Sequence, residues 1–138
     1  MKIKESTEIR VRFSETDSLG VVWHGNYLTY FEDGREYFGQ KHGISYLDVL
    51  ANGFATPIVE SICQHKLPLK YGDIATIETT FEDSPASKMI FTYKILNPKG
   101  EVVCTGKTIQ VFIDKKGELS LINPPFFESW KKKVGLLK

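Results

Sequence analysis

The sequence predicts an α+β domain in which an antiparallel sheet wraps over one long helix. Three observations carry this. A short alternating run is followed by an aromatic helical stretch, four runs rich in β-branched and aromatic residues come after it, and turn residues separate most of them. The 138 residues, 41% hydrophobic, are enough for one sizeable core, and no internal repeat or linker divides residues 1–138.

The first strand is expected over 7–13, where Ile9, Val11 and Phe13 alternate with Glu8, Arg10 and Arg12. Residues 14–25 break that alternation with Asp17, Ser18 and Gly20, so they read as a loop, anchored by Val21, Val22 and Trp23. From 27 to 40 the large residues Tyr27, Tyr30, Phe31, Tyr37 and Phe38 share a helical face with Gly34. Such a helix is about 20 Å long, comparable to the width of the sheet. Asn26 is the expected N-cap and Gly43 the expected stop. Ser45 and Asp48 form a capping-box pattern for a second, short helix ending at Asn52 and Gly53.

The remaining strands are expected over 58–69, frayed by Pro68, then 74–82, 89–95 and 102–113, as a four-strand meander. Asn97, Pro98, Lys99 and Gly100 suit a type I turn, and Asp114 to Gly117 closes the last strand. Phe126, Phe127, Trp130 and Val134 recur at helical spacing within 125–134, which predicts a docked helix.

Eighteen basic residues nearly cancel 17 acidic ones, so no global charge draws the chain to nucleic acid or anionic membrane. Lys131, Lys132 and Lys133 read as a solvated helix end. No window is apolar enough for a membrane span, and polar residues after Met1 predict no secretory leader. Cys63 and Cys104 show neither CxxC nor Cys/His metal spacing, so two reduced core thiols, no metal site and a cytoplasmic location are expected.

The segment from Glu15 to Tyr27 is the most informative. It places Asp17 in a tight loop just before a helix, whose first N–H groups are unpaired and lie at the positive end of the dipole. A carbonyl docked there would be polarised, with Asp17 beside it as nucleophile or general base, the pair of features that acyl transfer uses. The competing reading is an ordinary turn-forming aspartate.

Asp17, Gly20, Val21, Val22, Trp23 and His24 stand in the places of the active-site motif of the 4-hydroxybenzoyl-CoA thioesterase family. The resemblance continues through Asn26 and Tyr27, through Tyr30, Phe31, Glu32 and Arg35, and through two later blocks, 55–59 and 68–73. It implies a hotdog fold and hydrolysis of short-chain, medium-chain or aromatic acyl-CoA. Asp17 would be the catalytic carboxylate and the His24 amide the carbonyl-polarising donor, with the His24 imidazole orienting water or Asp17, or else serving only the loop backbone. Glu32 and Thr56 would lie near the acyl group, although Glu32 and Arg35 at i,i+3 also suit a structural ion pair. His42 and His65 match no catalytic position.

Lys70 and Lys88, at strand ends, are the candidate cations for the phosphates of coenzyme A. The resemblance implies no cofactor, since coenzyme A arrives with the substrate, and it implies a homodimer or homotetramer built by edge-to-edge sheet pairing. Three alternatives stand beside this reading: a non-catalytic acyl-CoA-binding module, a hydratase, and action on acyl-carrier-protein thioesters. No His/Asp arrangement of a hydratase is visible.

Overall fold

In the computed structural model, which describes residues 2–137, the first strand begins well before residue 7. This strand, β1 (Lys2–Arg10), pairs antiparallel with β3 (Ile74–Glu82) from Lys2 opposite Glu82 to Arg10 opposite Ile74. Ion pairs of Lys2 with Glu82 and Lys4 with Glu78 accompany the extension. Lys2, Lys4, Ser6, Glu8 and Arg10 form its exposed face and Ile3, Glu5, Thr7 and Ile9 its half-buried one, so the alternation continues through a stretch with few apolar residues.

The strands β4 (Lys88–Leu96), β5 (Val102–Val111) and β2 (Ile58–His65) complete a five-stranded antiparallel sheet in the order β1-β3-β4-β5-β2. Only β3, β4 and β5 form the expected meander. β2 pairs instead with β5 at the far edge, because the chain leaves it at His65 and residues 66–73 cross the end of the sheet. That crossing is hydrogen-bonded along its way: the Lys66 and Leu67 N–H groups donate to Val103 O, Val22 N–H to Leu69 O and Val11 N–H to Asp73 O. β2 therefore ends four residues before the predicted 69.

The helix α1 (Asn26–His42) lies across the concave face and stops at Gly43, whose φ of 73° lets its N–H reach Gly39 O. Tyr27, Tyr30, Phe31, Gly34 and Phe38 are its buried stripe. Phe31 stacks on Tyr93 at 4.3 Å and rests over Gly106, where any side chain would occupy the space of the ring. Tyr37 does not join the stripe. It is 38% exposed, with Lys41 above its ring.

Asn26 is the first helical residue rather than the cap; its side-chain amide donates to Glu15 O and ties the preceding loop down. The short helix α2 (Tyr46–Ala51) has the predicted capping box, with reciprocal bonds between Ser45 and Asp48. Helix α3 (Pro125–Lys133) packs Phe127 and Trp130 against Phe81, and Trp130 Nε1 donates to His42 O. Lys131 is no part of a solvated lysine run. It is 2% exposed, bonded to Asp83 at 2.7 Å and to Ser84 O at 2.9 Å.

Candidate active site

Asp17 opens a hairpin that the chain uses three times. At Asp17, Asn97 and Asp114 the backbone N–H bonds the carbonyl four residues on, the residue three ahead is a glycine with φ near 80°, and the side-chain Oδ1 accepts the N–H two ahead. The turn-forming reading of Asp17 is thus realised in its geometry. A difference sets it apart: Asn97 and Asp114 each accept a second N–H on Oδ1, whereas Asp17 accepts only Leu19. Its carboxylate is exposed, and the remaining oxygen has no hydrogen-bond partner among the described residues.

Two features hold this hairpin beside α1. Val21 and Val22 pair with the 66–73 crossing, through a bridge to Lys70 and a bond to Leu69. Glu15 accepts from Trp23 N–H and the Asn26 amide on its carbonyl, and from Arg12 N–H and Tyr30 OH on its carboxylate. Burial, reinforced by the Glu15 carboxylate, pushes the Tyr30 phenol up, so it remains a donor. The hairpin is clamped to the helix start, where the N–H groups of His24 and Gly25 donate to no partner among the described residues. The Trp23 ring lies over Gly25 and leaves no room for a side chain there.

His24 lines an open cleft of about 260 Å³ with Tyr27, His65, Lys66 and Pro68. Lys66 is a cation that the sequence reading passed over, because it fell inside the predicted strand 58–69 and not at its end. Lys70 lines a separate groove with Asp73 and Asn97. Lys88 begins β4 at the opposite end of the sheet, roughly 27 Å away along the strand at the usual rise. These two lysines cannot grip one phosphate within a single chain.

Glu32 and Thr56 do come together, lining a cavity of about 300 Å³ between α1, α2 and the sheet. Arg35 forms no ion pair with Glu32; its Nη1 donates to Tyr93 OH, which also contacts Thr108. Glu32 has no hydrogen-bond or ion-pair partner among the described residues. Gln110 is a lining residue with no sequence signal: its amide donates to Thr56 O and Thr56 Oγ1, while its Oε1 is buried without a partner. Asp17 lines neither space, and within one chain the His24 cleft and the Glu32 cavity are separate. Burial pushes the Cys63 and Cys104 thiols up, which makes neither a ready nucleophile.

The family model of the thioesterase-like superfamily matches residues 11–131. YneP of Bacillus subtilis, provisionally named an acyl-CoA thioesterase, is 34% identical over 123 residues, covering 89% of each chain. A DHNA-CoA thioesterase from Staphylococcus aureus superimposes with a TM-score of 0.85 at 30% identity over 96% of this chain and 91% of its own. A 4-hydroxybenzoyl CoA thioesterase in complex with 4-hydroxybenzoyl CoA, 23% identical over 92% of this chain and 97% of its own, shares the fold at a TM-score of 0.79. With a five-stranded antiparallel sheet wrapped on α1 and a match across most of its length, the chain is a hotdog-fold member of the thioesterase-like superfamily.

Proposed function

We propose that the chain hydrolyses short-chain, medium-chain or simple aromatic acyl-CoA to the free acid and coenzyme A. The observation that carries this is the pair of unpartnered amides at His24 and Gly25 beside a hairpin that holds the free carboxylate of Asp17. A thioester oxygen bound at His24 N–H gains charge as the carbonyl carbon becomes tetrahedral, and donors fixed at that point stabilise the transition state more than the ground state. Asp17 either attacks the carbonyl, releasing the thiolate and leaving an anhydride for water to open, or takes a proton from the attacking water. Both routes end in the same two products.

The Glu32 cavity supplies the acyl pocket. Ile44, Val49, Ile58, Met89 and Phe91 give the cavity apolar walls, and Glu32, Thr56 and the unpartnered Gln110 Oε1 are among the polar groups that line it. Pairing of two chains through the open edge of β2, where Val59 and Ile62 are exposed, would bring one chain's Asp17 toward its partner's cavity. The working unit in this reading is a homodimer or homotetramer. Lys66 and Lys70 flank the route by which the nucleotide end approaches, and Lys88 serves only if the partner carries it there. The free thiols suit a reducing, cytoplasmic setting.

The deciding experiment is thiol release from acetyl- to palmitoyl-CoA, with benzoyl- and hydroxybenzoyl-CoA alongside. Each methylene buried in an open apolar channel would add about 0.8 kcal/mol of binding. A kcat/KM that falls at long chains fits a cavity of about 300 Å³, whereas a maximum at palmitoyl-CoA overturns the pocket assignment. No hydrolysis of any acyl-CoA overturns the activity itself.

A further inference from the structure

Cys63 and His65 are two residues apart on β2 and so project from the same side of the sheet. Cys104 on β5 stands opposite His65 in the ladder, and Cys63 opposite Gly106, so all three side chains lie on the face that α1 covers. Strand pairing thereby brings Cys104, 41 residues further along the chain, beside Cys63 and His65, which is why spacing alone gave no metal motif. Cys63 Sγ is 3.3 Å from Cys104 Sγ and 4.0 Å from His65 Nδ1, and the three atoms lie within 4.8 Å of one another.

Tetrahedral zinc, with bonds of about 2.3 Å to sulfur and about 2.0 Å to nitrogen, holds its ligand atoms roughly 3.5–3.8 Å apart. The separations of 3.3 and 4.0 Å bracket that range and the third is no more than 4.8 Å, so shifts of about 1 Å at the ligand atoms close the site. Two soft thiolates and an imidazole also select zinc over magnesium or calcium, which take oxygen ligands.

We propose that Cys63, His65 and Cys104 bind one zinc ion through two thiolates and Nδ1, with a fourth position open toward the cleft of His24 and Tyr27. Burial is graded along the path of entry: Cys104 is buried, Cys63 half-buried and His65 exposed. The rings of Tyr27 and His24 lie 5.0 Å and 6.4 Å from that of His65, so the open position faces the cleft and not the free edge of β2. Binding displaces the two thiol protons into solvent and leaves no unbalanced oxidation state. The ion cross-links the edge strand to β5, independently of thioester chemistry.

The test is titration of the reduced full-length chain with cobalt(II), followed by displacement with zinc. One equivalent should give tetrahedral visible bands and thiolate-to-cobalt charge-transfer absorption, both erased by one equivalent of zinc. Cys63→Ser, which leaves one of the two thiolates, should remove at least about half of the charge-transfer intensity. His65→Gln, at an exposed position that leaves the core untouched, should keep that absorption but alter the visible bands and weaken binding at least about tenfold. Absence of charge-transfer absorption in the reduced wild type overturns the site, as does an unchanged spectrum and affinity in both variants. Oxidation of the two thiols to a disulfide under the same reducing conditions, in place of metal uptake, also overturns it.

Discussion

Gly34 of α1 stands directly over Thr79 of β3, so close that a methyl group on the glycine would overlap the threonine hydroxyl, while that hydroxyl is buried with no hydrogen-bond partner. The helix comes close to β3 at a position that carries no side chain. Gly34→Ala should therefore cost about 1–3 kcal/mol through overpacking, despite the better helix propensity of alanine. Thr79→Val, which removes an unsatisfied hydroxyl at similar volume, should be neutral or stabilising. Thermal or urea unfolding of the two variants reads both signs.

Asp17→Asn should leave the fold unchanged and lower kcat at least about 100-fold. The chain contains its own control for the first half of that statement: Asn97 builds the same hairpin with an amide in place of a carboxylate. Asparagine at 17 should thus keep the turn, shifting stability by no more than about 0.5 kcal/mol. Steady-state kinetics and a melting curve on one preparation separate the two effects, and undiminished turnover would remove Asp17 from the mechanism.

The acid side of the stability profile should carry a contribution from Glu5. Burial pushes its carboxyl up, but hydrogen bonds and charges from His42 and Lys41 outweigh that and hold it below its usual value of 4.5. Because the folded-state value is depressed, the stabilisation is present above the unfolded value and is lost as pH falls through the folded one. Glu5→Gln should be less stable than wild type at neutral pH, by no more than about 1 kcal/mol, and the gap should narrow on acidification below 4.5. A gap independent of pH would mean that Glu5 acts by packing alone.

Activity and assembly should fail together on dilution, since the His24 cleft and the Glu32 cavity are separate in one chain. Light scattering beside specific activity over a dilution series checks this. A fully active monomer would require Asp17 and the Glu32 cavity to work within one chain.

How much of this was legible in the sequence depended on the range of the interaction involved. The aromatic period of α1, Tyr37 excepted, the capping box at Ser45 and the stop at Gly43 are local, and they were legible because each is a contact over one or two turns. The loop of Asp17 was found by its own residues. The place of β2 was not, because period-two alternation says that a segment is a strand without naming its neighbour, and β2 is exposed along nearly its whole length. Gln110, the Cys63, His65 and Cys104 group, and the release of Glu32 from Arg35 all depend on cross-strand register or on helix placement, which no local spacing encodes.

The burial of Lys131 bears on how the molecule comes apart. To peel α3 from the sheet, the chain must break the ammonium from Asp83 and Ser84, lift it off the Phe127 ring and wet Phe127 and Trp130 in the same event. Partial detachment would leave Asp83 without its counterion beside newly opened apolar surface, so there is no cheap intermediate between docked and fully released. Helix α3 is therefore part of the same cooperative unit as β3, and its amides should exchange with deuterium on the timescale of that strand rather than that of a fraying segment.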